Sequence, residues 1–98
     1  MNNSELVTHL AKLRASIDAR DVELVRVLAS RFELTRKVGE LKATYDLPPR
    51  DSAREAEHLA CLKKIAVEAR LDPEFILNIF DIVMAQVVND HQIIRRNN

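Results

Sequence analysis

From Ser4 to Thr44 the apolar residues fall into a seven-residue repeat, with Leu6, Leu13, Val27 and Leu34 in one column and Leu10, Ile17, Leu24 and Val38 in the other. That spacing predicts one uninterrupted helix, about 4–44, with an apolar seam along it. Ser4 is expected to cap its start, and Gly39 costs it about 1 kcal/mol relative to alanine without ending it. Tyr45-Asp-Leu-Pro-Pro-Arg50 then forces an extended loop over 45–50, because neither proline can continue a helix. A second helix is expected over about 51–70, opening at Asp51 or Ser52, where Ser52-Ala-Arg-Glu55 has the form of a capping box. Its inward residues are expected to be Leu59, Leu62, Ile65, Ala66 and Ala69. Asp72-Pro73 marks a third start, with the acid as N-cap and the proline at the first helical position, for a helix over about 73–95. Phe75, Ile76, Ile79, Phe80, Val83, Val87 and Ile94 form its apolar stripe.

The expected fold is therefore all-α, a single domain over 1–98 with one long helix and two shorter ones. A straight helix of about forty residues spans ~60 Å, whereas a compact domain of this length has a radius of gyration near ~13 Å. Two short helices cannot cover such a rod. Its open seam calls for a second copy of the chain, most simply in an intertwined two-fold homodimer. The competing possibility is a kink at or before Gly39 that folds the rod back.

Composition agrees with helices: one glycine and three prolines leave too little turn punctuation for a β-architecture. Fifteen basic and fifteen acidic residues cancel. A neutral chain has no bulk attraction for nucleic acid or an anionic membrane, so neither is an expected partner, though a local cationic pocket is not excluded. The single cysteine, Cys61, leaves no internal disulfide framework and no CxxC metal or redox site. The start carries no basic stretch followed by an apolar run, and nothing approaches the ~18 apolar residues of a membrane span. A complete cytoplasmic chain, ending in the polar Arg95-Arg-Asn-Asn, is the expectation.

Two cations interrupt the heptad. Arg20 lies near Asp18, Asp21 and Glu23, so a local ion pair accounts for it. Arg31 shares a face with Thr35, Val38 and Lys42, because eleven residues advance a helix by only ~20° beyond three turns. A cationic stripe beside core positions suggests an anion pocket; two solvated cations would give the same periodicity. Arg14 lies ~25 Å along the axis from Arg31, too far to share a small ligand within one straight helix. In an antiparallel dimer the partner's copy could reach it. His91 falls on the apolar stripe of the third helix, where a half-buried histidine with a satisfied ring nitrogen is the simplest account. Cys61 and His58 lack a third ligand or orienting carboxylate, so no nucleophilic dyad or metal site is expected there. Triads, glycine-rich phosphate loops and His-Glu-x-x-His are absent. Any chemistry must proceed without a covalent catalyst and without a cofactor.

Leu13-Arg-Ala-Ser-Ile-Asp18, Asp21, Leu28-Ala-Ser-Arg31, Val38-Gly-Glu-Leu-Lys42 and Asp51-Ser-Ala-Arg-Glu55, in this order and spacing, resemble the all-helical class of chorismate mutases. The resemblance covers roughly residues 6–94. It implies an intertwined homodimer with two shared active sites and the rearrangement of chorismate to prephenate, a step towards phenylalanine and tyrosine. It further implies that Arg14 of the partner subunit and Arg31 clamp the substrate carboxylates, and that Lys42 donates to the ether oxygen of the breaking bond. Asp51 and Glu55 match positions that hold the ring hydroxyl, and Arg54 a further binding and ordering position. A small dianion explains cations on an apolar seam in a neutral chain, and a pericyclic reaction explains the absence of a nucleophile.

The chain departs from the family pattern on its last helix, where a serine and, four residues later, a glutamine are common. Val87 and His91 stand there instead. His91 is expected to take the place of the glutamine as a second donor to the ether oxygen, with a pH dependence a glutamine would not give. Val87 removes a polar contact, which keeps isochorismate–pyruvate lyase and amino-deoxychorismate mutase as alternatives on the same scaffold. A non-catalytic helical dimerisation module is the alternative from another class; it gives no reason for Arg31 and Lys42 to share the inner stripe.

Overall fold

Three helices and no strand make up the chain in a computed structural model that describes residues 1–98: α1 (Asn3–Thr44), α2 (Ser52–Glu68) and α3 (Pro73–Arg96). Each begins where a side chain can satisfy its first amides. At α1 that residue is Asn2, not the expected Ser4. Its Oδ1 accepts from the Glu5 amide at 2.8 Å while its Nδ2 donates to Glu5 Oε1 at 2.9 Å. At α2 the cap is Asp51, whose Oδ1 accepts from the Arg54 amide at 3.1 Å. Ser52 is thereby the first helical residue, and Glu55 is released from any capping box. At α3 Asp72 caps the Glu74 amide at 3.0 Å, with Pro73 at the first position as expected.

The two interior helix ends share one device. The Leu47 amide donates to the Lys42 carbonyl (2.9 Å) and the Leu71 amide to the Ala66 carbonyl (2.8 Å), each wrapped around a left-handed residue, Asp46 (φ 52°) and Arg70 (φ 59°). Glycine usually occupies such positions, because a Cβ is strained there. After α1, the last turn of α3 completes the closure. Arg95 Nη2 donates to the carbonyls of Lys42 (3.3 Å) and Leu47 (3.0 Å), and its Nη1 lies 3.5 Å from Asp46.

The chain divides into two compact units, Met1–Leu34 and Thr35–Asn98. The first is helical from Asn3 onward, and apart from Arg31 and Phe32 every residue in it is exposed. Its heptad leucines, isoleucine and valine are no exception: Leu24 is 62% and Val27 66% exposed. Arg20 pairs with Glu23 at 2.6 Å, the expected local ion pair.

The second unit holds the end of α1 with α2 and α3. Its core is Ala66 from α2 with Val83 and Val87 from α3, and His58 meets Phe80 edge-to-face at a centroid distance of 5.8 Å. The end of α1 approaches α3 closely at Gly39. There a Cβ would stand 2.6 Å from His91 Cδ2 and 3.1 Å from Ile94 Cδ1. The only glycine of the chain is thus a contact point, and α1 continues through it. Ile65 (51% exposed) and Phe75 (56%) depart from expectation. The apolar stripes of α2 and α3 are wider than the faces these two short helices bury against each other. No helix is long and apolar enough to cross a membrane.

Candidate functional site

The corner where α1 gives way to α2 gathers Lys42, Asp51, Arg54 and Glu55. Lys42 sits in the last turn of α1, half-buried. The chain reverses at Asp46, and Pro48 and Pro49 extend it back past the helix end. Lys42 Nζ donates to the Pro49 carbonyl at 3.0 Å. This partner is neutral, so it fixes the ammonium without cancelling its charge. Asp51 follows at the α2 cap, where its carboxylate is engaged with the Arg54 amide, while the Arg54 side chain is exposed.

One turn into α2 stands Glu55, half-buried, its carboxylate gripped from the loop by Arg50. Nη2 donates to Oε2 at 2.6 Å and Nε to Oε1 at 3.4 Å. Hydrogen bonding from Arg50 is the main influence holding the Glu55 carboxyl below its ordinary range. Partial burial opposes it; the charges of Arg50 and Lys42 reinforce it, and Asp51 works against it. The same pairing raises the Arg50 guanidinium. Cation, carboxylate and capping acid therefore share one corner, with Lys42 within Coulombic reach of Glu55.

Arg31 and Arg14 belong to the first unit. Arg14 is exposed; Arg31 is half-buried, and its Nη1 is sealed from solvent. His91 Nε2 donates to the Thr35 carbonyl at 2.7 Å, with its ring against Gly39. Its satisfied ring nitrogen is the one the periodicity suggested. Val87 is 6% exposed and lies in the core. Cys61 is exposed and free.

Sequence reasoning missed Arg50, Pro49 and Arg95. Arg50 carried a signal in hindsight: it adjoins the capping acid and precedes Glu55 across a helix start, where a long side chain can reach forward. Arg95 carried none.

A family model described as chorismate mutase type II matches residues 13–92. A T-protein from Enterobacter agglomerans is 38% identical over 81 residues, covering 83% of this chain and 22% of that protein. A chorismate mutase from Methanocaldococcus jannaschii is 28% identical over 79 residues, covering 81% of this chain and 80% of that protein. A 4-amino-4-deoxychorismate mutase from Streptomyces pristinaespiralis is 27% identical over 77 residues, covering 79% and 60%. The chain thus spans about a fifth of the T-protein and three-fifths of the Streptomyces enzyme.

Proposed function

Because the chain belongs to the chorismate mutase type II family, we propose that it rearranges chorismate to prephenate in the biosynthesis of phenylalanine and tyrosine. The observation that carries this reading is the Lys42–Glu55 corner, a fixed ammonium beside a carboxylate held ionised. The substrate is a dianion with a ring hydroxyl and an enolpyruvyl ether. Its reaction breaks a C–O bond and forms a C–C bond in one concerted step, with no group transferred to the protein. The protein's work is to hold the side chain folded over the ring and to stabilise charge as it separates.

In this reading Arg31 and the partner subunit's Arg14 clamp the two carboxylates, each able to grip bidentately. Lys42 donates to the ether oxygen, where negative charge grows only as the bond breaks, so its contribution falls on the transition state more than on the bound substrate. Glu55 and Asp51 accept from the ring hydroxyl, Arg54 orders the helix start, and Val87 supplies apolar wall. His91 is the second donor to the ether oxygen. With Nε2 committed to Thr35, only Nδ1 is available for that purpose, and both ring nitrogens carry protons only in the imidazolium.

The homodimer is part of the proposal, and the first unit supports it. Leu6, Leu10, Leu13, Ile17, Leu24, Val27 and Leu34 are all exposed in the single chain. Burying such side chains contributes about 1.5–3 kcal/mol each when complete, and a two-fold pairing of seams buries both sets together. In this reading the enzyme works in the cytoplasm with a second copy of itself and no cofactor.

A second reading draws on the Streptomyces relative, named a 4-amino-4-deoxychorismate mutase. A carboxylate such as Glu55 accepts from a ring ammonium as readily as from a hydroxyl. The test offers the purified chain chorismate, 4-amino-4-deoxychorismate and isochorismate side by side, with its mass in solution measured in parallel. Prephenate from chorismate by a dimer is the expected result. Preference for the amino substrate would establish the second reading, and turnover of neither would overturn both.

A further inference from the structure

Lys42 and Glu55 carry opposite charges at the same corner, yet no ion pair joins them. Two adjacent residues of the loop hold them instead. Pro49 offers its carbonyl to Lys42 Nζ at 3.0 Å, and Arg50 grips both oxygens of Glu55 at 2.6 and 3.4 Å. We propose that Arg50 is a positioning residue that occupies Glu55 and so keeps it from neutralising Lys42, leaving the ammonium its full charge for the breaking C–O bond. The inference rests on the roles given to Lys42 and Glu55 above.

The physical argument is one of competing partners. A carboxylate of this kind seeks the nearest cation, and its other close neighbour, Asp51, repels it. Arg50 has the better geometry, a planar fork matched to two oxygens. Lys42 has a point charge on a flexible stem that can swing. While Arg50 is in place, Glu55 still has lone pairs left for a ring hydroxyl, and the ammonium stays with a neutral carbonyl that does not quench it. Without Arg50, the lysine stem is free to carry Nζ onto Glu55. A donor so neutralised still occupies the site, but it stabilises developing negative charge less. The defect therefore falls on turnover. The loop can enforce this because it is anchored at both ends: Arg95 ties its start to the last turn of α3, and Asp51 fixes its end at the α2 cap.

The test is a double-mutant cycle on the full chain at saturating chorismate, with circular dichroism and thermal melting to verify folding. Arg50→Ala is expected to lower kcat roughly tenfold, short of the hundredfold or more lost with an essential donor, while KM changes less. Arg50→Lys is expected to recover most of that loss. In a Glu55→Gln background, where the neutral amide has no charge to quench Lys42, Arg50→Ala is expected to leave kcat within about twofold of Glu55→Gln alone. An equal loss in both backgrounds would overturn the inference, as would an unchanged kcat in Arg50→Ala. If alanine prevents folding, Arg50→Gln takes its place in the cycle. A crystal structure of the Arg50 variant gives a readout independent of turnover. Lys42 Nζ on Glu55 supports the proposal even if chorismate is not the substrate, and Nζ still on the Pro49 carbonyl refutes it. Failure of the wild-type chain on chorismate bears on the proposed function alone.

Discussion

Replacing Gly39 by alanine sets two opposite effects against each other, and the structure decides the sign. Alanine is the better helix former by about 1 kcal/mol, so on propensity alone the variant gains stability. At this position the new Cβ would stand 2.6 Å from His91 Cδ2, 3.0 Å from His91 Nε2 and 3.1 Å from Ile94 Cδ1. Ordinary carbon contacts lie near ~3.5–4.0 Å, so roughly 1 Å must be found. The Ile94 methyl can move. The imidazole cannot move freely, because the same Nε2 donates to the Thr35 carbonyl at 2.7 Å. Overpacking typically costs about 1–3 kcal/mol, and losing the hydrogen bond about 1 kcal/mol more. Against the helix gain, the net is a destabilisation of about 1–3 kcal/mol. Urea unfolding of Gly39→Ala and wild type at one fixed protein concentration measures it; the concentration is fixed because the stability of the proposed dimer would depend on it. At about 4–8 °C per kcal/mol for a chain of this size, melting temperature gives the same answer. The decisive step is to repeat the substitution in a His91→Ala background. With the ring gone the helix term prevails, and Gly39→Ala becomes stabilising by up to about 1 kcal/mol. A destabilisation of the same size in both backgrounds would refute the claim that His91 sets the requirement for glycine.

Four further outcomes are expected. Lys42→Ala lowers kcat by about 10²–10³, whereas Arg14→Ala also raises KM, because a carboxylate clamp binds the ground state as well; steady-state kinetics separate the two. The Glu55 carboxyl is held low, chiefly by Arg50, so it stays ionised into more acid solution than an ordinary glutamate. The acid limb of the pH–rate profile should accordingly lie below the usual glutamate range and move upward in Arg50→Gln. A histidine and a glutamine differ as donors, so His91→Gln should change the pH–rate profile; identical profiles would count against a donor role for His91. Arg70→Gly should raise stability by about 1 kcal/mol, since φ 59° strains any residue with a Cβ, and thermal melting reads it directly.

The helices were legible in the sequence because their punctuation is local. Pro48-Pro49 and Asp72-Pro73 act on their immediate neighbours, and the seven-residue repeat, broken at Arg20 and Arg31, runs from Leu6 to Val38. The caps were harder. Asn2 and Ser4, like Asp51 and Ser52, are all competent cap residues within two positions of each other, and propensity does not separate them. The shift from Ser52 to Asp51 matters for the site, because it frees Glu55 from the helix start and lets Arg50 take it. Burial was misjudged at Ile65 and Phe75 for a different reason: an apolar stripe says which face wants cover but not how much cover the chain possesses. Of the candidate residues, Lys42, Asp51 and Glu55 converge on one corner. That corner is held locally by Lys42 to Pro49 and Arg50 to Glu55, but the ties from α3 to the end of α1 join residues far apart in sequence, Arg95 to Lys42 and Leu47, and His91 to Thr35. No window of local pattern could reveal them. Gly39 gave the one clue to such a link, a lone glycine inside a helix, which signals a close approach without naming what approaches.

The grip of Arg95 on the α1 terminus has a practical consequence for anyone handling the protein. Trimming residues 95–98 as a dispensable polar tail would remove the guanidinium that holds the Lys42 and Leu47 carbonyls and so loosen the support of the loop that seats Lys42 and Glu55. Preparations that differ only in whether they keep Arg95 would then differ in activity for reasons unrelated to substrate contacts. Comparative assays should therefore keep Arg95 in every preparation.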